Sequence, residues 1–239
     1  MNALRGVHSL LYRITMSTPC CFIIPAGGRG LRFGGELPKQ FSLILGKPLI
    51  MYTLERIAPF ASQIILALPN DYFDYWKKLC EQYHFTLPHE VVAGGTTRFE
   101  SVYNALQRVP HEGLVAVHDA VRPLIAKHTL TTLIETAEKT GAALPYTNMV
   151  DSVRKLYSKG SQAVDRSTLV QVQTPQIFQA SLLIKAYQSV IGTNFMDDAS
   201  VYEAHFHHAP TLVEGNVENI KITRPLDALW MEMLLTKSN

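Results

Sequence analysis

Short apolar runs alternating with helical patterns constrain this chain more than any other feature. Residues 21–25 (C-F-I-I-P), 63–68 (Q-I-I-L-A-L), 90–93, 114–118 (L-V-A-V-H) and 142–145 each read as a buried strand bounded by turn or breaker residues. Helix signals lie between them. Pro48 opens a helix to about residue 57, with Pro59 beyond its end. Asp71 is placed to cap a second helix running towards Tyr83, and residues 97–107 form a third. Leu130, Leu133, Ile134 and Ala137 fall at i, i+3, i+4 and i+7, the spacing of one buried helical face, and Gly141 ends that helix. This rhythm predicts an α/β fold: a single Rossmann-like domain with a mostly parallel central sheet flanked by helices.

The rhythm breaks after residue 148. Residues 151–157 and 163–172 read as two extended pieces around a turn at Lys159 and Gly160. Both are polar at alternate positions and would make a poor core alone. They predict a projecting β-hairpin arm, residues 148–172, of the kind that packs on a second subunit and makes a homodimer. Helical pattern resumes at 181–190 and 198–205, short strands are predicted at 211–214 and 219–223, and a final helix at 225–235. No linker or repeat divides residues 19–239. Residues 1–18 lack Asp and Glu, carry Arg5 and Arg13, and read as a disordered leader, with Met16 as an alternative start.

Composition narrows the partners. The formal net charge is +2, from 22 basic and 20 acidic residues, too even a balance for a nucleic-acid binder. No apolar run is long enough to cross a bilayer. Cys20, Cys21 and Cys80 make an odd count without CxxC spacing, so neither a disulfide framework nor a zinc site is expected, and a cytoplasmic location fits. His205, His207 and His208 cluster but lack a fourth ligand; they read as surface, and no protein-built metal site is expected.

The chemistry is concentrated after the first strand. Residues 25–32 read P-A-G-G-R-G-L-R and residues 37–40 read L-P-K-Q. A strand opening into a bare glycine loop turns successive backbone N–H groups towards an anion, and Arg32 and Lys39 add two cations beside it. Phosphoryl and nucleotidyl transfer need this arrangement, because negative charge builds on the oxygens of the attacked phosphorus. The loop is not a P-loop, lacking G-x-x-x-x-G-K-[ST]. As a dinucleotide fingerprint it is incomplete: Phe33 stands at the third glycine, and no acidic residue closes a clear following strand.

These residues resemble the signature of nucleotidyltransferases that activate sugars and alditols. G-G-T-T-R-F-E-S-V (94–102), V-H-D-A-V-R-P (117–123), V-D-R (164–166), Q-T-P-Q (173–176) and V-E-G-N-V-E-N-I-K-I-T (213–223) follow in order. Together the six motifs, spread over about residues 20–235, resemble the 2-C-methyl-D-erythritol 4-phosphate cytidylyltransferase family.

The resemblance implies transfer of CMP from CTP to that acceptor, with Mg²⁺ bound through the CTP phosphates. Arg32 and Lys39 would stabilise the α-phosphate as it becomes five-coordinate. The backbone of Ala26, Gly27, Gly28 and Gly30 would wrap the triphosphate. Gly94, Gly95 and Ser101 would form the cytosine pocket, with Arg98 bracing that loop. Asp119 would accept from ligand hydroxyls, with Arg122 beside it near the acceptor, although an i,i+3 pair of this kind also reads as a simple ion pair. Lys221 would hold the acceptor's phosphate. Arg166, on the arm, would reach the partner subunit's site. Ser152 replaces the family's usual Thr in the acceptor loop and keeps the hydroxyl. Met196 replaces a Thr ahead of the helix at 198, a loss that would move the start of that helix. His118 reads as a residue that holds its loop.

Three rivals remain at this level. A cytidylyltransferase for another alditol phosphate, such as ribitol 5-phosphate, shares the fold and P-K-Q. A nicotinamide oxidoreductase shares the strand–glycine–helix start. A catalytically silent nucleotide-binding protein would have no reason to keep Arg32, Lys39, Arg166 and Lys221 together.

Overall fold

A computed structural model describes residues 18–28 and 37–237. The central sheet is built around β1 (Cys20–Pro25), flanked in parallel by β4 (Gln63–Leu68) and β6 (Leu114–Val117), with β2 (Leu43–Ile44) and β3 (Lys47–Pro48) forming a small separate ribbon. β5 (Glu90–Ala93) extends the parallel set beyond β4. β1 is buried on both faces. Phe22 and Ile24 join the core on one side with α1 (Leu49–Ile57) and α4 (Lys127–Thr140). Cys21 and Ile23 join the other with α3 (Arg98–Leu106) and α5 (Ala180–Ser189). Alternate residues of one strand thus feed two helical layers, which is why the strand reads as an unbroken apolar run.

The remainder of the sheet is mixed. β7 (Ala142–Asn148) takes β12 (Thr211–Glu214) in parallel. β10 (Val170–Val172) and β11 (Gln176–Gln179) then follow one another along β7 in antiparallel register, with Val170 opposite Asn148 and Ile177 opposite Ala143. β11 also pairs with β6, so it bridges the two halves of the sheet. The sequence carries no strand signal there, because Q-I-F-Q has only two apolar residues.

The arm is shorter than expected. β8 (Val153–Leu156) and β9 (Ser161–Val164) form a two-stranded ribbon of their own, whereas residues 170–172 belong to the central sheet. β7 runs on to Asn148, and its last backbone groups take β10 as their partner; an alternating polar pattern does not reveal which strand will satisfy it. Residues 219–223 are not a strand: they form a loop pinned by the Ile222 amide on the Val121 carbonyl at 3.0 Å.

Three helix ends also bear on expectation. α2 (Phe73–Gln82) has no side-chain cap, and Asp71 sits instead in a preceding single turn, Asn70–Tyr72. Gly141 does end α4, in the left-handed region at φ 89°. α6 (Asp198–Phe206) starts where its pattern begins, since Asp197 supplies the cap: its carboxylate accepts from the Ser200 amide at 2.9 Å. Met196 is exposed, and the hydroxyl lost there is not needed. α7 (Pro225–Lys237) closes the chain, burying Met231 in a small cluster with Ile44, Leu49 and Ile222.

Candidate active site

The carboxyl ends of β1, β4 and β6 open into one cavity of about 890 Å³. Its wall begins at Ala26, Gly27 and Gly28, the first residues of the glycine loop. The Ala26 amide still pairs with the Ala67 carbonyl at 2.8 Å, so the loop leaves the sheet from a fixed point. Gln40, almost fully buried, donates from Nε2 to the Ala26 carbonyl at 2.6 Å. That bond ties the P-K-Q turn to the loop and sets Lys39 on the cavity wall. The sequence places Gln40 in a motif without showing this bond. Gly30 and Arg32 lie outside the described residues.

The opposite wall is the turn ahead of α3. Thr97 caps the helix by accepting from the Glu100 amide at 3.1 Å, and the Glu100 carboxylate takes the Thr96 amide at 2.6 Å and the Thr97 amide at 3.3 Å. Those bonds hold the Glu100 carboxyl below its usual range, the Thr96 hydroxyl and amide first among them. Ser101 accepts from the Gly95 amide at 3.0 Å and donates to the Thr97 carbonyl at 2.9 Å. Gly95 and Ser101 line the cavity, whereas Gly94 sits behind them with its amide on the Leu68 carbonyl at 2.7 Å. A side chain at Gly95 would place Cβ only 2.1 Å from Glu100 Cβ. Gly95→Ala is therefore expected to displace this turn and raise the KM of the substrate bound against it by about tenfold or more, measured in initial-rate assays.

Arg98 does brace the turn, and it also lines the cavity. Its Nη2 lies 2.6 Å from Oδ2 of Asp198, a fully buried carboxylate that also accepts from the Tyr187 hydroxyl at 2.7 Å. Burial alone would lower the Arg98 pKa, but Asp198 more than reverses this and holds it raised.

Asp119 and Lys221 form the third side. The Lys221 ammonium is 3.0 Å from Asp119 Oδ2, and Arg122 Nε is 3.2 Å from the same oxygen. Burial would raise the Asp119 pKa, and the positive charges of Lys221, Arg98 and Arg122 overcome it, leaving the carboxyl well below its usual range. The resemblance places Arg122 beside Asp119, near the acceptor, and in this structure it is beside Asp119. Its guanidinium is turned to Asp119 and to the Asn219 carbonyl at 2.7 Å, and it does not line the cavity. Ser152 and Arg166 do not line it either. They lie on and beside the exposed hairpin, where Arg166 donates to the Val150 carbonyl.

His118 is fully buried behind Asp119. Its Nε2 is 2.9 Å from the Arg122 carbonyl and its Nδ1 is 2.9 Å from the Thr174 hydroxyl. Burial pushes its pKa down from 6.5 to about 4, so it stays neutral near pH 7. The unfolded chain takes up this proton first as pH falls. The stabilisation is whole above about 6.5 and drains away towards 4, about 2 kcal/mol between pH 7 and 5. Urea unfolding at those two pH values should show this drop, with a clearly smaller drop in His118→Gln.

The family of known proteins described as "IspD: 2-C-methyl-D-erythritol 4-phosphate cytidylyltransferase" matches residues 20–237. The chain belongs to that family. A 2-C-methyl-D-erythritol 4-phosphate cytidylyltransferase of Porphyromonas gingivalis is 50% identical over 214 residues, spanning 90% of this chain and 96% of the relative. One from Phocaeicola vulgatus is 47% identical over 215 residues, spanning 89% of this chain and 98% of its own. Among solved structures, the cytidylyltransferase of Thermus thermophilus superposes with a TM-score of 0.75 at 28% identity, over 92% of this chain and 100% of that one. That of Francisella tularensis gives 0.77 at 28% identity, over 90% and 99%. The family member described here is an enzyme, a nucleotidyltransferase, and its mixed α/β sheet is the sheet of these structures.

Proposed function

We propose that this enzyme transfers CMP from CTP to 2-C-methyl-D-erythritol 4-phosphate in isoprenoid precursor biosynthesis, releasing pyrophosphate and forming 4-diphosphocytidyl-2-C-methyl-D-erythritol. The observation that carries the reading is convergence: the glycine loop, Lys39, the Gly95–Ser101 turn and the Asp119–Lys221 pair all border one cavity. Cytosine enters the turn at Gly95 and Ser101, and the triphosphate lies along Ala26, Gly27 and Gly28. Lys39, together with Arg32, meets the α-phosphate. Lys221 holds the acceptor's phosphate, already ionised at neutral pH, in line for attack on the α-phosphorus. No general base is required, and rate comes from alignment and electrostatics.

The donor set fits a magnesium ion held through phosphate oxygens, since the Asp119 carboxylate is already shared by two cations. When bound, such an ion offsets the charge of the triphosphate. Among the described residues, no helix is long and apolar enough to cross a membrane, and Cys20, Cys21 and Cys80 are free thiols, which suits a cytoplasmic enzyme.

The same reading makes the enzyme a homodimer whose arm brings Arg166 and Ser152 to the partner's cavity. Leu156 and Val150, at 80% and 78% exposure, leave the hairpin without a packing surface of its own. Sedimentation at assay concentration should give a dimer; a fully active monomer would refute the shared site.

The test of function is pyrophosphate release measured with all four nucleoside triphosphates against a panel of alditol phosphates. CTP with methylerythritol phosphate should exceed every other pair. Preference for ribitol 5-phosphate would establish the rival acceptor.

A further inference from the structure

His118 bonds in one direction only. The Arg122 carbonyl 2.9 Å from Nε2 can only accept, so Nε2 carries a proton, and in the neutral ring Nδ1 is then a bare lone pair. The Thr174 hydroxyl, 2.9 Å from Nδ1, must then donate to it. With its proton committed there, the Thr174 oxygen turns a lone pair to the Asp119 amide at 3.0 Å. Donation runs from the Asp119 amide to Thr174, from Thr174 to His118, and from His118 to the Arg122 carbonyl. The chain closes the inner side of the turn at residues 119–122, whose outer side is closed by the Arg122 amide on the Asp119 carbonyl at 3.2 Å.

Both ends of that turn grip the segment carrying Lys221. Asp119 takes the Lys221 ammonium at 3.0 Å, and Arg122 Nη1 donates to the Asn219 carbonyl at 2.7 Å. His118 itself does not line the cavity.

We propose that His118, in its neutral Nε2–H tautomer, is a positioning residue for the acceptor end of the site. It fixes the orientation of the turn at 119–122 and thereby where the Lys221 ammonium stands. The charged groups facing it are Asp119 and Arg122, with Lys221 beyond them. The proposal deepens the reading of Lys221 as the acceptor-phosphate ligand and rests on it. A histidine that merely filled the core would affect both substrates alike.

The experiment uses the full chain and the variants His118→Asn and His118→Gln. Asn keeps an acceptor near the Nδ1 position and Gln keeps a donor near the Nε2 position, so each retains half of the chain. The expected result is an increase of about tenfold in the acceptor KM for each, with the CTP KM within about twofold of wild type. A double-mutant cycle between His118→Asn and Thr174→Val should be non-additive in the acceptor KM. Nitrogen-15 spectra of histidine-labelled wild type should show one buried histidine protonated at Nε2 at pH 7. An unchanged acceptor KM in both variants, equal rises for the two substrates, or an Nδ1–H tautomer would each overturn the proposal. Should wild type itself fail to turn over methylerythritol phosphate, the functional reading falls, whereas the spectra still test the hydrogen-bond chain.

Discussion

Lys39→Ala is expected to lower turnover by about 10²–10³-fold while the protein stays folded. The turn carrying Lys39 is anchored by the two residues that follow it. Gln40 is bonded to the Ala26 carbonyl, and Phe41 is buried against Tyr75 and Trp76. The ammonium therefore stands on the cavity wall at a place fixed by neighbours that the substitution leaves intact. In a mechanism without a covalent intermediate, a positive charge beside the attacked phosphorus counts only as charge builds in the transition state. Its removal should act on kcat more than on either KM. Lys39→Arg should recover part of the rate. The check is kcat for pyrophosphate release alongside a melting curve, and near-normal turnover in the folded Ala variant would contradict the assigned role.

The second large effect falls on stability. Asp198→Ala removes a fully buried carboxylate that holds both the Arg98 guanidinium and the Tyr187 hydroxyl. Tyr187 loses its acceptor inside the core, and Arg98 is left with an unpaired charge. Because the Arg98 side chain keeps 29% of its exposure, water can recover part of that loss. The expected cost is about 3 kcal/mol, below the upper end for breaking a buried pair, and would lower Tm by roughly 6–12 °C. Since Arg98 is the first residue of α3, directly after the Thr97 cap, the CTP KM should rise as well. Calorimetry and kinetics on Asp198→Ala check this, and a Tm within about 2 °C of wild type would contradict it.

What could be read from the sequence depended on whether the cause was local. β4 and β5 stand at their predicted bounds, and Gly141 ends its helix, because two-sided burial and a left-handed C-cap are written into a few adjacent residues. β11 was missed since only its partners β6 and β7, each more than 30 positions away in sequence, make those four residues a strand. The same limit explains residues 170–172, assigned to the arm by their alternation although they pair with β7.

The site divides in the same way. The glycine loop, Lys39, Gly95, Ser101, Asp119 and Lys221 were legible because motif chemistry names them, and the fold gathers them. Arg122 was legible as a neighbour of Asp119, but its second partner, the Asn219 carbonyl 97 positions away, was not. The Arg98–Asp198 clamp joins residues 100 positions apart and has no local signal. Thr174 lies in Q-T-P-Q, but its partners are Asp119 and His118, more than 50 positions upstream.

The central claim is that one cavity holds both reactants between Lys39 and Lys221. Crystals of the enzyme soaked with CTP and methylerythritol phosphate test it most directly. The account predicts cytosine against the Gly95–Ser101 turn, the α-phosphate within reach of Lys39, and the acceptor phosphate on Lys221. A nucleotide seated elsewhere, or the two ammonium groups turned to separate surfaces in the complex, would contradict it.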